Sequence, residues 1–248
     1  MAEELGKIEK PEAAQFKGKK KLYLVPLLYS WQDAPPEYSE KLTLYWQQVR
    51  EHIANLESRI GAVKIVYHES IIASGEEGLK ILERLNPSSH QLVREKFLMG
   101  ARFETVEDRE LVEETMDWER HLILGFLSDK VAGMVSQLFA DASKKRWEHI
   151  AQRIEHTLKD EEVAMLIIRE GHMVQFPQDV EVFIVSPPSL NELHRWLRER
   201  QEKAEREELA REEAQEKSTS PAPKTADDLR AELERMEPKS DSNGDTRV

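Results

Sequence analysis

Two places in this chain set a histidine beside a glutamate: His68-Glu69 and Glu170-Gly171-His172. Each follows a short apolar run, residues 63–67 in the first case and 163–168 in the second. Imidazole and carboxylate do two kinds of chemistry together. They form proton-transfer pairs, and they ligate divalent metals. His68, Glu69 and His172 are therefore candidate ligands for a divalent metal (manganese, iron, cobalt or zinc), with Glu170 beside them. The opposite reading is that charged residues simply mark where a buried strand leaves the core. Two features favour a site. Gly171 lets the backbone pass close to another group, and residues 173–176 turn apolar again, which suits a pocket rim. Cysteine is absent, so thiolate zinc sites, iron–sulfur clusters, cysteine nucleophiles and disulfides are excluded. The chain has no Gly-x-Ser-x-Gly elbow, His-Glu-x-x-His helix or Gly-x-Gly-x-x-Gly turn. Ser74-Gly75-Glu76-Glu77-Gly78 lacks the lysine of a phosphate loop, and its acidic pair would repel phosphate.

The elements that would position these groups follow from apolar periodicity. Residues 22–29 are almost continuously apolar, as in a strand buried on both faces. Pro26 cannot donate to a ladder, so this strand is at an edge or is broken there. Leu42, Trp46, Val49, Ile53, Leu56 and Ile60 draw one stripe along a helix over 37–60, which Gly61 ends. Ser74 is placed to cap a helix over 75–85, Ser88 or Ser89 the next one, and Thr105 a long stretch that Gly125, Ser128 or Gly133 bends. The carboxylates Glu104, Glu107, Asp108 and Glu110 read as helix-start acids. A further helix is expected over 144–158, strands over 163–168 and 180–185, and a helix capped by Ser189. Strands separated by helices predict an α/β fold. The expected architecture is a small, mainly parallel sheet with flanking helices, a large helical insertion, and a charged disordered C-terminal tail. Ligands of such sheets sit outside the carboxyl ends of the strands, where His68, Glu69, Glu170 and His172 fall.

The helix start Lys145-Arg146-Trp147-Glu148-His149-Ile150-Ala151-Gln152-Arg153-Ile154, a hydrophobic strand and then Glu170-Gly171-His172 resemble the closing portion of the TraB/Tiki superfamily, which includes ChaN-like proteins. The resemblance covers residues 144–174. It implies Arg146 and His172 as site residues, and in its catalytic form a metal-dependent hydrolase. His68, Glu69 and His172 would then hold the metal, Glu170 would serve as general base and Arg146 would stabilise an anion. Trp147 stands where the family carries asparagine, and the first strand ends Leu28-Tyr29-Ser30-Trp31 without the family's glycine-x-x-histidine turn. With that half of the pattern missing, the expectation is a binding or regulatory module with a degenerate pocket at the strand carboxyl ends; the hydrolase is the alternative.

Bulk properties bound the rest. The net charge of −12 opposes nucleic acid and anionic membranes, and no apolar run reaches the ~20 residues of a membrane span. An acidic start without an apolar core, together with the lack of cysteine, predicts a cytoplasmic protein. The expected organisation is a flexible N-terminal arm over 1–20, one α/β domain over 21–198, a charged helix or coil over 199–217 and a disordered tail over 218–248. Residues 199–217 hold eight glutamates, five basic residues and one leucine, so they have no face to bury. The tail is the candidate surface for a protein partner, and Leu229, Leu233 and Met236 can share one side of a short helix there.

Overall fold

The computed structural model describes residues 18–219. The expected arm, up to residue 17, and the tail from 220 onward lie outside the described residues. The chain forms two compact units, which divide between Arg195 and Trp196.

The first unit is an α/β fold built on one parallel sheet. Its strands are β1 (Lys20–Pro26), β2 (Ile65–His68), β3 (Arg102–Phe103), β4 (Val163–Ile168) and β5 (Val180–Ile184), in the order β3-β2-β4-β1-β5. Every neighbouring pair is parallel. The helices are α1 (Pro36–Arg59), α2 (Gly75–Leu85), α3 (Pro87–Leu98), α4 (Arg109–Leu124), α5 (Asp129–Thr157) and the start of α6 (Pro188–Thr219). β1 is an interior strand, flanked by β4 and β5, and it stops at Pro26. Of the two readings of that proline, the break is the one observed. A ring without an N–H is tolerated where the ladder ends.

Strand alternation sorts the core into two layers. Leu22, Ile65, Tyr67, Ala164, Leu166, Ile168 and Val180 pack with Trp147, Ile150 and Ile154 of α5. The alternate residues point the other way. On that face Tyr23 donates to the carbonyl of Gly61 at 2.8 Å, and Tyr45 of α1 donates to that of Pro26 at 2.5 Å. Tyr38, Leu42, Tyr45, Trp46, Val49 and Ile53 of α1 are buried, so the predicted stripe covers the sheet.

Several helix starts differ from the sequence reading. α3 is capped by Asn86, whose side chain accepts from Ser89 N–H at 3.0 Å; neither Ser88 nor Ser89 does this. Asparagine competes well for a cap, and Pro87 behind it gives up an N–H that the first turn would leave unpaired. α4 is capped by Asp108, which accepts from Glu110 and Leu111, while the Thr105 hydroxyl bonds the carbonyl of Ile71 at 2.8 Å. Ser74 does sit at the start of α2, but its hydroxyl accepts from Thr105 N–H at 3.0 Å instead of capping. The long helical stretch breaks at Gly125–Ser128, and α5 then runs through residue 144 without interruption. Gly125 has φ 72°, a left-handed conformation that stops a helix. α6 begins at Pro188, and the buried hydroxyl of Ser189 has no hydrogen-bond partner.

In the second unit α6 continues to Thr219, and the described side chains over 199–211 are all exposed.

Candidate functional site

The loop after β2 leads toward β3 on one side, and the loop after β4 leads toward β5 on the other. Ligands of open parallel sheets bind where such connections diverge, which here is the crevice between the carboxyl ends of β2 and β4. The two histidine–glutamate segments of the sequence meet at this crevice. Glu69 N–H donates to the Ile167 carbonyl at 2.9 Å, and Arg169 N–H donates to Glu69 Oε2 at 2.7 Å.

The crevice is filled from within. Glu69 is buried and also accepts from the Nε of Arg169 and, at 3.4 Å, from Nη2 of Arg146. Arg146, on α5, is itself buried and forms a two-pronged ion pair with Glu107, its Nε lying 2.9 Å from Oε2 and its Nη2 on Oε1. Glu107 also accepts from Ser70 N–H at 2.9 Å, which fastens the loop after β2. Burial opposes the charge of Arg146, but the hydrogen bond and charge of Glu107, with Glu69 behind it, outweigh that and raise its pKa. The row Glu107–Arg146–Glu69–Arg169 thus balances two carboxylates with two guanidiniums. Tyr29, past the end of β1, adds a phenol at this rim; burial pushes its pKa up, and the charge of Glu69 pushes in the same direction.

His68 and Glu69 do not share a site. Adjacent residues at the end of a strand point to opposite faces of the sheet. Glu69 turns to α5, whereas His68 turns to α3, where its Nε2 lies 3.0 Å from the Ser89 hydroxyl. Its Nδ1 lies 2.6 Å from the Glu69 carbonyl. Both ring nitrogens are occupied, and burial pushes the imidazole pKa down to about 4, against a smaller upward pull from that carbonyl. His172 lies in the loop after β4, half-buried, with its Nδ1 3.3 Å from Val174 N–H and its ring edge-on to Phe176. Burial lowers its pKa, and the charge of Glu69 opposes that. Glu170 is exposed and pairs with His194 at 2.7 Å. Among the described residues, no three histidine, aspartate or glutamate side chains are grouped so as to hold a metal ion.

Beside the filled crevice, on the α5 face, lies a cavity of about 750 Å³. Its apolar walls are Phe139, Ala140, Trp147 and Ala151 of α5 and Met173 of the β4–β5 loop. Arg146, Arg169 and Lys144 also line it, against one acid, Glu148. The Arg146 and Arg169 guanidiniums lie 5.3 and 6.0 Å from the centre of the Trp147 ring, within cation–π range. Glu69 and Glu107 stand behind the two arginines and do not reach the cavity wall. Arg146 is buried, so the cations open to a ligand are Arg169 and Lys144; each also has a partly exposed carboxylate near it, Glu119 at 3.8 Å and Glu148 at 3.9 Å.

Sequence reasoning missed Glu107, which it grouped with the helix-start acids, and Ser89, which it read as a cap. It gives Arg169 no role, and Trp147 enters it only as a departure from the family's asparagine. Period-2 alternation was available as a signal that His68 and Glu69 diverge. No local signal distinguishes Glu107 from its acidic neighbours. Compared with known proteins, the chain matches no family model, no curated protein and no solved structure.

Proposed function

We propose that the chain is a binding module whose ligand is small, mainly apolar and negatively charged at one end. The observation that carries this reading is the cavity of about 750 Å³, apolar along α5 and edged by Arg169 and Lys144. That volume is typical of small-molecule sites, and so is an apolar wall with a few placed polar groups. An anion at Arg169 would gain a charge-assisted hydrogen bond, while the apolar remainder covers Trp147 and Met173. The acids and bases nearest the crevice are committed to one another, which favours binding over turnover. The metal-dependent hydrolase of the TraB/Tiki type would require His68 to give up Ser89 or Glu69 to give up an arginine.

The test is calorimetric titration with a medium-chain alkyl carboxylate. The wild type is expected to bind, Ala151→Phe to fill the cavity and weaken binding at least ~10-fold, and Arg169→Gln to weaken it by a similar factor. No binding by the wild type, or binding that both variants leave unchanged, sinks the proposal. Stoichiometric metal in purified protein, lost in His172→Ala, would favour the hydrolase instead.

A further inference from the structure

α4 and the first half of α5 form a helical hairpin with almost no core of its own. Val112, Thr115 and Ala142 at its base are buried, but from residue 116 to residue 141 no side chain is. The turn is apolar and open to solvent: Leu127 is fully exposed, and Ile123 and Leu124 are 79 % and 81 % exposed. α5 carries two apolar stripes. Ala132, Val135 and Phe139 are half-buried, and α4 is the helix packed beside α5. Val131, Met134 and Leu138, spaced three and four residues apart, are exposed. That spacing is the seam of a helix meant to meet another helix. Large apolar side chains left exposed at the turn and along this stripe mark an interaction site.

We propose that this hairpin face pairs with the same face of a second copy of the chain, two hairpins making a four-helix arrangement about a twofold axis. Two observations select a second copy. The first is area. At on the order of 100 Å² apiece, Ile123, Leu124, Leu127, Val131, Met134 and Leu138 offer ~600 Å² per chain, so a symmetric pair buries ~1,200 Å², the lower bound for a stable specific interface. The second is charge. The chain carries −12 overall, yet between Leu122 and Ala140 the only charged residues are Asp129 and Lys130, one of each sign. This is a neutral stretch of an acidic protein, where two copies meet without setting like charges together. The same neutrality gives a basic partner nothing to grip.

The experiment is light scattering on the full-length chain over micromolar to ~100 μM concentrations. The expected mass is twice 28.8 kDa. Met134→Glu places a charge in the seam, at a position exposed in the single chain and therefore tolerated by its fold. It should weaken association on the order of 100-fold or more and return the mass to 28.8 kDa, with circular dichroism unchanged. The chain has no cysteine, so a Met134→Cys variant tests geometry directly: mild oxidation should give one cross-linked dimer. The proposal is overturned by a wild type that is monomeric throughout this range. It is also overturned by a dimer that Met134→Glu leaves intact, or by a monomer that instead floats with neutral lipid vesicles through Leu127.

Discussion

Arg146 is the residue on which the sheet end depends. It is the counter-charge of Glu107 and bonds Glu69, and all three are buried. Removing one partner from a buried pair costs more than the pair contributes, because the other charge is left uncompensated. Arg146→Met should therefore lose ~3–5 kcal/mol in urea denaturation, and Arg146→Met with Glu107→Gln should recover part of it, since the second change removes a stranded charge while keeping an acceptor for Ser70 N–H. His68 makes a separate prediction about pH. It is neutral in the fold, with a pKa of about 4 against 6.5 for an ordinary histidine. Between those values the unfolded chain binds a proton that the folded chain refuses, so stability is lost as pH falls from about 6.5 toward 4. The loss can reach roughly 3 kcal/mol; denaturation at stepped pH measures it, and His68→Gln should flatten that part of the curve. His172 shifts in the same direction and adds to the slope. Which residues lie at the sheet end was legible from the apolar runs before them. Their partners were not, since Glu107 and Arg146 are 39 positions apart and join only when α5 crosses the sheet.

Elements were legible wherever one period dominated. The stripe of α1, the run of β4 and the helix over 75–85 all stand close to where the sequence places them. Starts and breaks were less legible, because several polar residues compete for each cap and tertiary contacts choose among them. The Ser74 hydroxyl is taken by the N–H of Thr105, in the loop between β3 and α4, and so does not cap α2. Gly78 shows an element positioned by absence. It sits inside α2, where a Cβ would come within 2.3 Å of the Ala73 carbonyl oxygen and 2.9 Å of the Phe103 ring. Helix propensity alone favours alanine there, yet Gly78→Ala should destabilise by about 1–3 kcal/mol because backbone must move. A thermal melt that rises in this variant would contradict the close packing of α2 against β3.

At the scale of the whole molecule, the last fully buried apolar side chain among the described residues is Leu193. Deleting residues 199–248 should therefore leave the melting temperature within ~2 °C of wild type. If the charged segment carries a protein partner, the same deletion abolishes capture of that partner; capture that survives the deletion removes the role. Composition and periodicity alone determined an α/β fold on a mainly parallel sheet, followed by a charged segment with no face to bury, because burial patterns of period 2 and 3.6 are local properties of a chain. Only the tertiary structure decided what meets at the strand ends. Strand pleat sends His68 and Glu69 to opposite layers, and a guanidinium from a distant helix enters the crevice a ligand would otherwise use. Those outcomes depend on distances between segments, which no local pattern encodes.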